Sequence, residues 1–494
     1  MWCGKFSDLF SPRRDGEVVA SRLTVQGMHH MLDAKTAWAA YQPSAAHPWD
    51  RRKVAHLYRR AAFGATAAEL DAGVKDGHEK TITRVLEGGP ESDDFTRTTE
   101  FMASERSMPP GAPQSRLSAW WLDRMLKTAH PLREKLTLFW HNHFATSNAK
   151  VQNARYMLGQ YHLLQKYALG SFRELVIQMG TDPAMMVWLD TLGSTKGNPN
   201  ENYARELMEL FSLGIGNYTE KDIREAARAF TGYEIKNGSG VLNPSQHDAT
   251  PKTVFGRTGR FKGEDIAKLC LEKEACPRFI VRKLYRFLIS EADNPPAELI
   301  DPLAEQYRAW DFDTGKLVAT MLRSNQFFAP QTYRAKIKSP VEFVTGIVRG
   351  LEGTAGALPL AEALEGLGQV LFAPPSVKGW DGGPAWLNAQ TLLARNNLAL
   401  ALTSGEDARF GTRCDPARVL ARHGIASDAE ALHWLLDVFV QGDVPAATRD
   451  RLLGYLETAK GIKYPVYWTP DDVTHHRVRA VAHLVLTLPE FQLN

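Results

Sequence analysis

Two imidazoles stand two residues apart in the run His141-Asn142-His143. Residues so spaced lie about 200° apart around a helix but on one side of a strand or extended turn. Both rings can hold one divalent metal ion only if the helix has ended by Trp140. The plainer alternative is one core histidine and one helix-terminal histidine favoured by the helix dipole. Glu206 lies at the edge of an apolar arc formed by Tyr203, Leu207, Leu210 and Phe211. Partial burial there would raise its pKa, fitting it for general acid–base work or for a third place beside His141 and His143 on a metal. A solvated face is the bland alternative. Arg205, four residues from both Glu201 and Glu209, fits an ordinary ladder of ion pairs and could also bind substrate.

His247, Asp248 and Lys252 fall in a Gly-, Asn- and Pro-rich stretch. A His, a carboxylate and a Lys on one loop could close over a substrate placed against His141 and Glu206. Asn243-Pro244 and Asp248 are equally good turn formers. Trp380 and Trp386, in "KGWDGGPAW", could form a platform for a sugar or peptide, or plug a loop into the core. No Gly-x-Ser-x-Gly elbow, Ser-x-x-Lys pair or Cys-His nucleophile set stands out, which disfavours covalent serine or cysteine catalysis.

The elements that must position these residues are mostly helices. Asp50 can cap a helix through Val54, Leu57 and Tyr58, and Thr66 with Glu69 forms a capping box. Residues 114–145 read as two amphipathic helices broken at His130-Pro131, followed by a third over 151–168. Ser171 and Asp182-Pro183 start two more. Asn198, with Pro199 at the first helical position and Glu201 in a capping box, predicts a helix to Gly214, and Thr219 starts the next. Helices resume over 263–271, 277–290, 296–309, 314–324 and 339–351; Asn388 caps another, and three or four more close the chain. Residues 232–262 form a Gly/Pro-rich inserted loop or β-hairpin, and loops of that length in compact proteins are often functional. The fold class is therefore mainly α, a large multi-helical single fold. Residues 1–47 read as a flexible arm, and 48–494 as the helical domain, which could divide into two lobes meeting near 232–262.

Composition narrows the partners. With 59 Lys plus Arg against 56 Asp plus Glu, the net charge of +3 gives no basic footprint for nucleic acid. Four cysteines lack the spacing of a zinc module or a disulfide scaffold. No run reaches the roughly 18–20 apolar residues of a transmembrane helix. Arg13-Arg14 is followed by Asp15-Gly16-Glu17 and not by an apolar segment, so the default location is cytoplasmic, with export left open.

Five segments, in this order, carry a family resemblance: "HLYRRAAFGAT" (56–66), "LTLFWHNHFATS" (136–147), "NPNENYARELMELFSLGIGNYTEKDIREAARAFTGY" (198–233), "HDATPKTVFGRTGRFKGEDI" (247–266) and "LFAPPSVKGWDGGPAWLNAQTLLARNN" (371–397). Together they make residues 48–494 similar to the "domain of unknown function 1800" family. The resemblance implies a bacterial protein encoded beside a sulfatase-like or alkaline-phosphatase-like protein that could be its partner. It supplies no catalytic residues. The residues themselves predict an enzyme with a polar cleft framed by His141, His143, Glu206, His247 and Asp248, with Arg205, Lys252 and Trp380 at the substrate. Its chemistry would be hydrolytic or lyase-type, with a divalent metal ion as one option. The alternatives are a non-catalytic scaffold or maturation partner of the sulfatase-like protein, and a glycan-binding module.

Overall fold

The computed structural model describes residues 33–291, 294–405, 407–411, 413–461, 465 and 468–494. The fold is mainly α. Most helices begin where side chains satisfy their first free amides: Asp50 accepts from Lys53, Thr66 and Glu69 close a capping box, and Ser171 and Asp182 accept from Glu174 and Met185. The expected helices are found at Arg51–Ala61, Gln114–Lys127, Pro131–His143 and Ala154–Lys166, and again from Gly263–Glu272 to Pro340–Gly350. Asn388 caps Ala389–Ser404, and among the described residues four further α-helices and a short 3-10 turn follow. Among the described residues, no helix is long and apolar enough to cross a membrane.

One helix start moves. The helix predicted from Asn198 begins at Asn202, because Thr195 and Asn198 pair as a β-bridge and Asn200 Oδ1 accepts from Asn202 N–H at 2.9 Å. The same helix passes into a π-helical turn, Leu207–Ser212, before Gly214. That wider turn rotates the residues after Glu206 away from the ideal wheel used to place Glu206 at the edge of the apolar arc.

Residues 232–262 form two small antiparallel hairpins, Tyr233–Lys236 with Ser239–Leu242 and Lys252–Val254 with Arg257–Gly259. Both tips carry positive φ at two successive residues, Asn237-Gly238 and Phe255-Gly256, as tight two-residue turns require. The second hairpin is fastened to helix Glu220–Ala229: Glu225 accepts from Thr253 N–H at 2.9 Å and Asp222 from Phe255 N–H at 2.7 Å.

The buried apolar residues form two clusters, one drawn mostly from residues 37–328 and the other mostly from residues 63–184 and 341–491. They do not meet at 232–262, which packs on the first cluster alone. They meet across helix Pro131–His143, whose Leu132, Leu136, Phe139 and Trp140 join the first cluster while Leu138 joins the second. A helix enclosed on both sides must bury polar side chains as well. Glu134, for example, accepts from Trp121 Nε1 at 2.9 Å, from Arg124 Nη2 at 3.0 Å and from Tyr161 at 2.6 Å. That network ties this helix to its neighbours on either side.

The arm assigned to residues 1–47 is not free over its described part. Ala37 and Tyr41 are buried, Trp38 Nε1 donates to Leu299 O at 2.8 Å, and Tyr41 N–H donates to Arg323 O at 2.7 Å. Residues 1–32 lie outside the described residues. Cys270, Cys276 and Cys414 are free buried thiols.

Candidate functional site

Helix Pro131–His143 does not end at Trp140, so the two imidazoles diverge and the condition for a shared metal fails. Four consecutive side chains reach three different segments. Trp140 Nε1 donates to Ala168 O at 3.1 Å, and Phe372 N–H donates to His141 Nε2 at 3.2 Å. Asn142 Oδ1 accepts from Trp380 N–H at 2.7 Å, while His143 Nε2 donates to Phe211 O at 3.0 Å. The run is a clamp at the junction of the two cores. Phe372 is held in the left-handed region at φ 63°, pinned by His141 on one side and by Asn148, whose N–H donates to Phe372 O at 2.8 Å, on the other.

Burial sets the charge of both rings. His141, 1% exposed between Trp121, Phe372 and Trp380, is pushed down to about 3 by loss of solvent. His143 is pushed well below its ordinary value by burial, and the Lys283 ammonium adds to the shift. Since His143 Nε2–H is spent on Phe211, Nδ1 is the acceptor that faces Lys283 Nζ at 3.0 Å.

That Lys283–His143 pair opens on a cavity of about 290 Å³. One wall is Phe139, Asn142 and His143; another is Lys283, Arg286 and Phe287 of helix Ala275–Leu288; Trp380 and Trp386 cover a third. Lys336, Glu342 and Gln369 form a buried floor, and Arg286, Lys378 and Asp381 stand exposed at the mouth. The carboxylates within are already engaged. Glu342 pairs with Lys135 and caps Ser339 N–H at 2.8 Å; burial alone would raise it, but Lys135 and Lys336 hold it at about 2. Glu291 accepts from Ile337 N–H at 2.9 Å and lies 3.7 Å from Lys336. Lys283 has no carboxylate partner among the described residues: it donates to Leu210 O at 3.3 Å and to His143, and burial pushes it down to about 8. At the mouth, neither Arg286 nor Lys378 forms an ion pair among the described residues, and Asp381 is the carboxylate that shares the mouth with them.

Of the residues singled out from the sequence, His143 and Trp380 line this cavity, and His141 packs behind Trp380 with ring centres 5.7 Å apart. Trp380 and Trp386, each 8% exposed, are seated as plugs that also line the cavity. Glu206, Arg205, His247, Asp248 and Lys252 do not line it. Glu206 is half-buried, and burial followed by the nearby Glu209 raises its pKa. Arg205 pairs with Glu201 at 3.1 Å and with Glu220 at 2.8 Å, whereas Glu209 accepts from the Tyr218 hydroxyl at 2.7 Å. The loop residues serve their own loop. His247 Nδ1 donates to Thr231 O at 3.0 Å, Asp248 pairs with Arg228 at 2.7 Å, and the buried Lys252 donates to the carbonyls of Asp248 and Thr250. Although burial opposes it, hydrogen bonds from Arg228 and Thr250 hold Asp248 well below the usual carboxylate range. Among the described residues, no group of three or more His, Cys, Asp or Glu side chains is placed to hold a metal ion.

Lys283, Arg286, Lys336 and Glu291 have no counterpart in the sequence reading. The signal available was compositional: no acid occurs between Glu274 and Glu291, while Arg278, Arg282, Lys283 and Arg286 do. Arg278 reaches back to Glu274 at 3.2 Å, but no acid stands four residues from Arg282, Lys283 or Arg286.

A profile of the family described as "Protein of unknown function (DUF1800)" matches residues 56–493, nearly the whole chain, and the chain belongs to that family. Neither a curated protein nor a solved structure matches it.

Proposed function

We propose that this member of the DUF1800 family is an enzyme acting on a small organic anion in the cavity beside His143. Its chemistry is hydrolytic or lyase-type, with Lys283 carrying the proton. One observation carries the reading: a lysine without a carboxylate partner among the described residues faces a neutral imidazole at 3.0 Å on the wall of a cavity that Arg286, Lys336 and Lys378 also line. A lysine brought near neutrality by burial is a base at ordinary pH. Arg286 and Lys378 at the mouth attract an anion, and Lys336 on the floor offers a cation that Glu291 only partly offsets at 3.7 Å. His143 orients the Lys283 amine and does not store the proton, because its own burial disfavours the imidazolium.

A thermal-shift screen of small carboxylates, phosphate esters and sulfate esters at moderate salt tests the reading. At least one class raises the Tm of the native chain, and Arg286→Met with Lys378→Met abolishes the rise. A chain that no anion stabilises, or whose response survives both substitutions, would defeat it.

A second reading, a scaffold or maturation partner for the sulfatase-like protein, draws support from helix Ala389–Ser404. Its Leu392, Leu393 and Leu400 are exposed. Co-expression with that neighbour followed by gel filtration distinguishes the two. A stable complex lost on Leu393→Glu and Leu400→Glu supports docking, and separate elution removes it.

A further inference from the structure

We infer that Lys283 is a covalent nucleophile, forming an imine through its Nζ with a carbonyl-bearing organic anion of the 2-oxo acid type. The inference rests on the proposed anion cavity and deepens it by assigning the reacting atom and the substrate class.

The geometry around Nζ is the argument. A neutral amine has two N–H bonds and one lone pair. Within hydrogen-bond reach, Nζ has two acceptors: His143 Nδ1 at 3.0 Å and Leu210 O at 3.3 Å. The pair therefore satisfies both N–H bonds of the neutral amine and leaves its lone pair unspent. A third donated hydrogen bond, which an ammonium would seek, has no acceptor among the described residues. The Phe279 ring, 4.9 Å from Nζ, walls one further side, and Lys283 lines the cavity. The Lys283 side chain is partly exposed and therefore reachable. Loss of solvent works in the same direction, pushing the amine down to about 8.

The step balances with what the cavity and solvent supply. The Nζ lone pair attacks the carbonyl carbon, and the C=O π pair moves to oxygen. One proton passes from nitrogen to that oxygen, and a solvent proton completes the leaving water as the carbinolamine collapses. The product is a protonated imine, which keeps one N–H. His143 Nδ1 is the acceptor for it. The substrate's carboxylate would be drawn to the cations of the same cavity, Arg286 on the next turn of the Lys283 helix and Lys336 on the floor.

The test is reductive trapping on the folded full-length chain, with pyruvate as the probe and sodium cyanoborohydride as the reductant. Peptide mapping should place one reduced pyruvate on Lys283, gained about ten-fold faster than on exposed lysines such as Lys221 near pH 7.5, because far more of its amine is uncharged. Acetone, which lacks the carboxylate, should label Lys283 more slowly than pyruvate does. Lys283→Met should remove the adduct. Should that variant fold poorly, Arg286→Met provides the check, since it leaves the amine in place and should slow pyruvate but not acetone. Labelling spread evenly over exposed lysines would overturn the inference, as would acetone matching pyruvate. If organic anions raise the Tm while no adduct forms on Lys283, the imine alone is wrong; if anions have no effect, the cavity reading fails first.

Discussion

Asn142 grips the backbone of Trp380 from both sides. Its Oδ1 accepts from the Trp380 N–H at 2.7 Å and its Nδ2 donates to the Trp380 carbonyl at 3.3 Å. The preceding residue has to be glycine: Gly379 sits at φ +80°, and a Cβ there would stand 2.1 Å from Asn142 Oδ1 and 2.5 Å from Asn142 O. Helix Pro131–His143 and the "KGWDGGPAW" loop are thus built to one another, and together they form two walls of the cavity.

Gly379→Ala should therefore free the loop. The cost combines a left-handed backbone with a contact against the Asn142 backbone that no rotamer relieves, about 2–3 kcal/mol. Asn142→Ala loses both hydrogen bonds and should cost about 1–3 kcal/mol. Chemical denaturation gives the magnitudes. Hydrogen exchange at the Trp380 amide should rise in both variants, and an unchanged rate would show the grip to be idle.

Acid should weaken the protein through its buried imidazoles. His56, His141 and His143 all have folded pKa values below the unfolded value of about 6.5, His141 at about 3. Below that unfolded value the unfolded chain binds more protons than the folded one. Stability is intact above about pH 6.5 and is lost as the pH falls, at up to about 1.4 kcal/mol per pH unit for each ring. In His141→Gln, whose side-chain oxygen can still accept from Phe372, the slope between pH 6 and 4 should be shallower by one ring's share. An unaltered slope would mean that His141 titrates normally in the folded state.

Asp182 acts with the opposite sign. Buried beneath its cap of Met185 N–H at 2.8 Å and a hydrogen bond from Gln160 at 2.8 Å, it is pushed up to about 6 by loss of solvent. The folded chain holds the proton between about pH 4 and 6, so this contribution is present at low pH and lost as the pH rises through 6. Asp182→Asn keeps a good cap and removes the charge. It should stabilise the protein by about 2–3 kcal/mol at pH 8 and by almost nothing at pH 4. Equal effects at both pH values would exclude titration of Asp182 as the cause.

Glu342 is the counter-charge of the cavity floor. Glu342→Gln leaves the buried Lys135, which donates to it, and the nearby Lys336 without that partner, at a cost of about 3–5 kcal/mol. Lys135→Met combined with Glu342→Leu should recover much of that loss, because a buried pair replaced whole is cheaper than a pair broken. Urea denaturation of the single and double variants decides it; a double variant as unstable as Glu342→Gln would contradict the pairing.

The residues by themselves determined the helices. Asp50, Thr66, Ser171, Asp182 and Asn388 announce their starts because capping is a local event, settled by a side chain and the amides two or three residues on. The same local logic placed a turn-rich interruption at 232–262, and the ordered motifs sufficed for the family. It failed at Asn198, where a β-bridge to Thr195 outcompeted a good capping sequence. Tertiary structure alone decided where the polar residues point. Spacing left His141 and His143 open between a ligand pair and one core plus one helix-terminal ring; the helix runs on through both, and two enclosing cores turn each ring into an anchor. Lys283 carried no motif. Folding set it 140 positions from its imidazole partner in the chain, yet 3.0 Å away in space, with no carboxylate partner among the described residues and with solvent partly withdrawn from its amine. Proximity across such a separation and loss of solvent belong to the packed chain, and neither is encoded in any short run of residues.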